Sequence, residues 1–258
     1  MLEVRGLKKE YQSLSGAPVV AIGDVTFRVE PRQFVSIVGP SGCGKSTLLQ
    51  CVAGLMRPTA GSVVLGGREV TAPPENLILL FQEYSKSLMA WRTVLGNVCF
   101  GLENNSALTR AEREKEARHY IGLVGLAGFE HQYPWELSGG MQQRVAIARA
   151  LACKPQVLLM DEPFGALDAL TRIELEDTLL RLWESLNSTI LFVTHDIEEA
   201  VYLSDRVYVL SRRPTRMIED LPVDLPRPRN QLASREDARF IKLRRHTFEL
   251  ISKEMAEA

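Results

Sequence analysis

The chain of 258 residues is 45% hydrophobic and 24% charged, an ordinary globular balance that suits one large domain, or one domain with an appendage. Its formal net charge of −1 argues against a basic nucleic-acid surface as the main function, while leaving room for local basic patches. The four cysteines, Cys43, Cys51, Cys99 and Cys153, are scattered, with no CxxC and no histidine at ligand spacing, so they read as reduced thiols. No basic-then-apolar leader opens the chain, and no apolar stretch reaches the roughly 20 residues that span a bilayer. The expectation is a soluble, cytoplasmic chain whose membrane link comes from a partner.

In chain order, Leu2 to Val29 alternates enough to predict antiparallel strands. Phe34-Val35-Ser36-Ile37-Val38 then runs into a glycine-rich loop. Val63-Val64-Leu65 with Gly66-Gly67 predicts a short strand and turn. Leu77 to Phe81 ends at Gln82, Val157 to Met160 ends at Asp161-Glu162, and Ile190 to Val193 ends at Thr194-His195. Short, near-continuous apolar runs suit strands buried on both faces, as in a parallel sheet covered by helices. Ligands of such sheets sit at the carboxyl ends of the strands, where all four candidate chemical groups fall.

Between Glu83 and Ala150 the pattern becomes mainly helical. Thr109 to Val124 predicts a helix with Thr109 as N-cap and Glu112 completing a capping box. Its Glu112, Glu114, Lys115 and Arg118 suit a solvated face. Asn104-Asn105-Ser106 matches a glycosylation acceptor but reads as a plain loop in a cytoplasmic chain. Leu221 to Pro228 reads as an extended proline-rich linker. Arg235 to Met255 has helical spacing, with Phe240, Leu243, Phe248 and Ile251 apolar, and reads as an appendage.

Gly39-Pro40-Ser41-Gly42-Cys43-Gly44-Lys45-Ser46, followed by Thr47, fits G-x-x-x-x-G-K-[ST]. Glycines let the backbone turn several N–H groups toward one phosphate, and the following helix adds its positive end. Lys45 can reach β- and γ-phosphates, and the Ser46 hydroxyl can ligate Mg2+. Cys43 sits inside this loop and is a point where alkylation would abolish function. Asp161 ends a buried strand and needs a cation or donor, for which Mg2+ is the natural solution. Glu162 is then placed to polarise a water attacking the γ-phosphate. The amide oxygen of Gln82 can face the metal or that water, or serve as an ordinary strand end. His195 can donate to the γ-phosphate or play a structural part. Asp196, Glu198 and Glu199 read as the acidic first turn of a helix. Leu137-Ser138-Gly139-Gly140-Met141 opens a helix with Val145, Ala148 and Leu151 at buried spacing. Ser138 can cap it, and Gly139-Gly140 leave N–H groups open to a second anion. One ATP cannot easily reach both anion sites if the helical insertion projects from the sheet; a second subunit solves that geometry.

With these motifs in this order, the chain resembles the ATPase subunits of ABC transporters over about residues 1–215. The resemblance rests on the phosphate loop GPSGCGKST, on Gln82, on the LSGGM segment, on VLLMDE ending at Asp161-Glu162, on Gly165-Ala166-Leu167-Asp168 and on His195. It implies an α/β fold of the P-loop NTPase kind: a RecA-like parallel core with N-terminal antiparallel strands (1–82 and 151–216) and a helical subdomain at about 83–150. A linker and helical tail would fill 217–258. It implies ATP and Mg2+ as cofactors and Tyr11 as the aromatic that stacks on adenine. It also implies a head-to-tail dimer, in which Ser138 and Gly140 of one copy face ATP held by Gly42, Lys45 and Ser46 of the other, with Asp168 at the interface. One copy alone should bind ATP yet barely hydrolyse it.

Phe81-Gln82-Glu83-Tyr84-Ser85 with Leu88, then Trp91-Arg92-Thr93-Val94 with Asn97-Val98, further resembles the nitrate/sulfonate/taurine importer ATPases, as does the tail around Leu225 to Arg229 and Arg235-Glu236-Asp237. Ala90 departs from the proline expected before Trp91, which is itself either core or part of a partner groove. The resemblance implies a peripheral subunit on the cytoplasmic face of the plasma membrane. It would energise import of a small solute, an anion such as nitrate, sulfonate or taurine, through a separate permease, served indirectly by a substrate-binding protein and without nucleic acid. The alternative is a soluble ABC ATPase acting on nucleic acid or ribosomes. About 90 residues between phosphate loop and signature leave no room for long coiled-coil arms, and a single such domain argues against the translation type. A P-loop kinase does not explain LSGGM.

Overall fold

The structure, a computed structural model, describes residues 1–12, 17–104, 106–165 and 167–256. In chain order they form β1 (Leu2–Gln12), β2 (Pro18–Val29), β3 (Phe34–Val38), α1 (Lys45–Val52), β4 (Ala60–Leu65), β5 (Arg68–Glu69) and β6 (Leu77–Leu80). Helices follow: α2 (Tyr84–Ser87), α3 (Val94–Phe100), α4 (Arg110–Leu123) and α5 (Gly139–Ala152). Then come β7 (Val157–Asp161), α6 (Ala169–Leu186), β8 (Thr189–Val193), α7 (Ile197–Leu203), β9 (Arg206–Leu210), β10 (Thr215–Pro222), α8 (Gln231–Glu236) and α9 (Ala238–Ala256).

The strands of the described residues make one ten-stranded sheet in the order β5-β4-β1-β2-β10-β9-β3-β8-β7-β6. From β9 to β6 every pairing is parallel. β1, β2, β4 and β5 pair antiparallel, as the alternation of Leu2 to Val29 predicts. Successive residues of the parallel strands enter opposite cores, which explains their unbroken apolar runs. Phe34, Leu158, Met160, Ile190 and Phe192 pack with α5, α6 and α7 on one face. Val35, Ile37, Leu159, Leu191 and Val193 pack with α1 and the antiparallel strands on the other. Each such fully buried side chain contributes about 1.5–3 kcal/mol of transfer free energy.

Helix starts follow the capping chemistry. Thr109 and Glu112 form the expected capping box at α4. Ser138 accepts from Met141 N at 3.3 Å to open α5, and Asp168 accepts from Thr171 N at 3.0 Å to open α6. Val145, Ala148 and Leu151 of α5 are buried as their spacing requires. Asn105 and Ala166, within two segments singled out from the sequence, lie outside the described residues.

The C-terminal reading needs correction. Leu221 and Pro222 are not linker but the end of β10, whose Leu221 pairs with Val207. Leu221, Val223 and Leu225 then bury every second side chain in the core. The tail helix also starts later than Arg235: Asp237 is extended (φ −63°, ψ 132°) and ends α8. Its carboxylate then accepts from Arg239 N at 2.8 Å and starts α9. The tail lies against the body, with Phe240 buried and the Arg227 guanidinium 4.3 Å from the Trp183 ring centroid.

Candidate active site

The phosphate loop joins β3 to α1. Gly42 (φ 72°) and Gly44 (φ 114°) adopt backbone conformations that side chains disfavour. A Cβ on Gly39 would lie 2.9 Å from the Leu210 carbonyl oxygen, so the loop depends on glycine for close approach as well. Lys45, only 5% exposed, donates from Nζ to the carbonyls of Gly39 at 2.9 Å and Pro40 at 3.2 Å. Cys43 is buried, and burial pushes its thiol up, so it is not a ready nucleophile. Its carbonyl accepts from the Thr215 hydroxyl, which also donates to Ala21 O at 2.9 Å and so ties β10 and β2 to the loop. Tyr11, at the end of β1, stands beside α1 with its hydroxyl 3.4 Å from Thr47 Oγ1 and 3.2 Å from Met56 Sδ.

Three parallel strands deliver their end groups to one carboxylate. Glu162 follows β7 with φ 44°, a left-handed conformation that costs a non-glycine residue on the order of 1 kcal/mol or more. Its N–H donates to Val193 O of β8 at 2.9 Å, which holds that conformation. His195 Nδ1 lies 2.9 Å from Glu162 Oε2 and Gln82 Nε2 3.4 Å from the same oxygen, while Lys45 Nζ lies 3.9 Å from Oε1. The His195 tautomer that carries its proton on Nδ1 is the one that donates to this carboxylate.

Asp161, one residue earlier, is 8% exposed. Burial raises its pKa first of all, and Glu162 adds to the rise; a hydrogen bond from Ser46 and the Lys45 charge oppose it. Among the described residues its Oδ1 has no hydrogen-bond partner. Among the described residues no group of three or more His, Cys, Asp or Glu could hold a metal by itself. A hydroxyl, an unpartnered buried carboxylate oxygen and phosphate oxygens do form a hard-oxygen set, which fits Mg2+.

The structure thus brings Gln82, Lys45, Ser46, Asp161, Glu162 and His195 together. Ser138 and Gly139 are exposed at the start of α5. Among the described residues no hydrogen bond or ion pair joins residues 138–141 to the phosphate loop. Gly140 packs on α6, where a Cβ would meet Thr171 Cγ2 at 2.6 Å. Asp168 is exposed and caps α6; hydrogen bonds from the Thr171 hydroxyl and then from its N–H lower its pKa. Trp91 is exposed, which excludes the core alternative.

Sequence reasoning missed Gln143 and Arg172. The fully buried Gln143 donates from Nε2 to Pro163 O, anchoring the signature helix to the segment after Glu162. Arg172 reaches Leu167 O at 3.3 Å, Asp196 Oδ2 at 3.2 Å and Glu199 Oε1 at 3.7 Å. A polar residue at a buried helical spacing was the available signal for Gln143. Arg172 carried none, since its partners after β8 are distant in sequence.

A model of the ABC transporter family matches residues 22–165. The chain is 47% identical to an uncharacterized ABC transporter ATP-binding protein of Methanocaldococcus jannaschii, across 100% of this chain and 93% of that protein. It is 48% identical to a nitrate import ATP-binding protein of Synechocystis sp., across 87% of this chain and 83% of that protein. Among solved structures, the dimeric structure of a bacterial ABC transporter cassette superposes with a TM-score of 0.76 at 32% identity, covering 86% of this chain and 99% of that one.

Proposed function

The chain belongs to the ABC transporter family as one of its ATPases, and we propose that it powers import of a small anion as a head-to-tail pair on a separate membrane permease. The observation that carries the reading is the convergence of Gln82, His195 and Lys45 on Glu162, beside a phosphate loop and a buried, half-partnered Asp161. Nitrate as cargo is favoured by the 48% identity to a nitrate import ATP-binding protein. No helix among the described residues is long and apolar enough to cross a membrane; in this reading the transport path is a partner's. In this reading the chain sits peripherally on the cytoplasmic face, and a binding protein delivers the solute.

The chemistry follows from the side chains. Lys45 and the loop N–H groups hold the β- and γ-phosphates of ATP. Mg2+, when bound, would be held by Ser46 and Asp161 and would offset phosphate charge. Glu162 accepts a proton as a water oxygen bonds to the γ-phosphorus and the bond to the bridging oxygen breaks. His195 and Gln82 fix the direction of that carboxylate. Ser138 and Gly140 of the second copy complete the site, and Tyr11 stacks on the base. Gln82 opens the helical stretch α2 to α5, which would carry the occupancy of the site to the permease through the exposed Trp91 region.

Glu162→Gln keeps the shape and removes the base. ATP binding should persist while turnover falls by about 10²–10⁴-fold; near-normal hydrolysis would sink the assignment. Copurification with a membrane protein and loss of nitrate uptake on deletion test the importer reading. Copurification with ribosomes alone would replace it.

A further inference from the structure

Ion pairs join the C-terminal helices to the first turn of α7, just after His195. Arg235, on α8, places Nη1 2.6 Å from Glu198 Oε2 and Nη2 3.1 Å from Glu176 Oε2. Arg244, on α9, places Nη1 2.9 Å from the other oxygen of Glu198. Glu198 lies in the first turn of α7, three residues after His195, and each of its carboxylate oxygens is held by one tail arginine. Glu176 lies on α6, the helix that Asp168 begins, and is 1% exposed. Burial raises the Glu176 pKa, opposed by Gln231 and Arg235 of the tail. Gln231 Nε2 donates to Glu176 at 3.0 Å and to Asp177 at 2.9 Å, so a second tail residue grips α6.

Both neighbours of His195 belong to the same network. Asp196 accepts through Oδ1 from Glu198 N at 2.8 Å and pairs through Oδ2 with Arg172. Thr194 donates to Glu199 Oε2 at 2.6 Å and accepts from Asp196 N at 3.0 Å. The backbone carrying His195 therefore hangs between α6, α7 and the tail. An open cavity of about 650 Å³ between α7 and α9 is lined by His195, Glu198, Ile241, Arg244 and Phe248.

We propose that Arg235 and Arg244 are positioning residues for hydrolysis: they brace the first turn of α7 against α6 and so hold His195 at hydrogen-bond distance from Glu162. The proposal rests on the ATPase reading, in which His195 acts on Glu162. The tail then sets turnover without touching nucleotide, and its removal is felt at the γ-phosphate and not at the adenine end. A pairing that holds a first-turn carboxylate by both oxygens fixes direction as well as distance. A loosened His195 loses the near-attack geometry that a displacement of about 1 Å can degrade a hundredfold.

The test is a kinetic cycle on the full chain. Arg235→Ala with Arg244→Ala should lower kcat about tenfold while KM for ATP stays within about twofold, the pattern of an interaction absent from ground-state binding. Arg235→Lys with Arg244→Lys should recover most of the loss. In a His195→Ala background the same alanine pair should change kcat by less than about twofold, since a brace acting through His195 has nothing left to position. An unchanged kcat in the alanine pair, a loss that repeats in full in the His195→Ala background, or a loss confined to KM would overturn the proposal. Thermal unfolding of each variant separates misfolding from mispositioning, because a lysine pair that restores Tm but not kcat also overturns it. If Glu162→Gln abolishes turnover while the alanine pair is fully active, the brace fails and the ATPase reading stands.

Discussion

Replacing Asp161 by Asn should stabilise the nucleotide-free protein while removing its response to Mg2+ and ATP. The carboxylate is 8% exposed, its Oδ1 has no partner, and burial is the leading cause of its raised pKa. A buried acceptor without a partner costs roughly 1–3 kcal/mol, and more when charged. The Asn amide would still lack a partner at that position, so only the charge-dependent part is recovered, about 1–2 kcal/mol. For a chain of this size that corresponds to a gain of roughly 2–8 °C in Tm. An acid whose pKa is raised by folding holds its proton to higher pH in the native state than in the unfolded one. Its cost is therefore absent below the ordinary value of 3.8, grows as pH rises toward the native value, and is complete above it. The advantage of the Asn variant should be greatest above the raised native value and vanish on acidification toward 3.8. Thermal unfolding in EDTA across pH, repeated with Mg2+ and ATP, reads both effects. A variant less stable than the wild type at neutral pH without metal would refute the reasoning, because Asp161 would then be satisfied by the protein alone.

Glu199 is pushed up to about 7 by burial, against the hydrogen bond from Thr194. Its ionisation should cost on the order of 3 kcal/mol of stability as pH rises from its ordinary 4.5 through 7, and Glu199→Gln should flatten that slope in denaturant titrations. Tyr11→Ala should raise KM for ATP about five- to tenfold, a loss of roughly 1–1.5 kcal/mol of stacking, with kcat little changed and Tyr11→Trp near wild type; an unaffected KM would remove Tyr11 from the site. Gly140→Ala should lower stability by about 1–3 kcal/mol, because the added methyl meets Thr171 Cγ2 at 2.6 Å. Thr171→Ser, which deletes that methyl group, should restore most of the loss in equilibrium unfolding; no rescue would mean that the contact is not the cause.

What could be read from the sequence was what local chemistry dictates. The four apolar runs became parallel strands because helices or other strands cover both faces, and Gln82, Glu162 and His195 met because parallel strands end on the same side. Thr109 and Ser138 announced their helices because capping needs only three further residues. Leu221 to Pro228 misled because its prolines suggested a linker, while the informative signal was the period-two burial of Leu221, Val223 and Leu225. Arg172 and Arg235 were silent for a different reason. Arg235 grips Glu198 and Glu176 across separations of 37 and 59 residues, and nothing in a local window marks an arginine as paired with a distant helix.

The same distinction orders the site itself. Groups proposed to hold phosphate sit at strand ends and on a glycine loop, where backbone geometry places them. Groups that decide whether hydrolysis proceeds depend on contacts made later in the chain. Glu162 keeps its left-handed backbone through Val193 O, and its carboxylate keeps its direction through His195, whose flanking residues are held by α6 and α7. Ser138 and Gly139 are exposed, and among the described residues no bond joins them to their own phosphate loop. Ser138 already satisfies Met141 N, which leaves the N–H groups of Gly139 and Gly140 without an intrahelical acceptor, as the proposed contact with a second copy's nucleotide requires. A chain built this way separates holding ATP from cleaving it. In the proposed reading, the first draws on the glycine loop, Lys45 and Tyr11, whereas the second would also draw on α6, α7, the tail and a second copy.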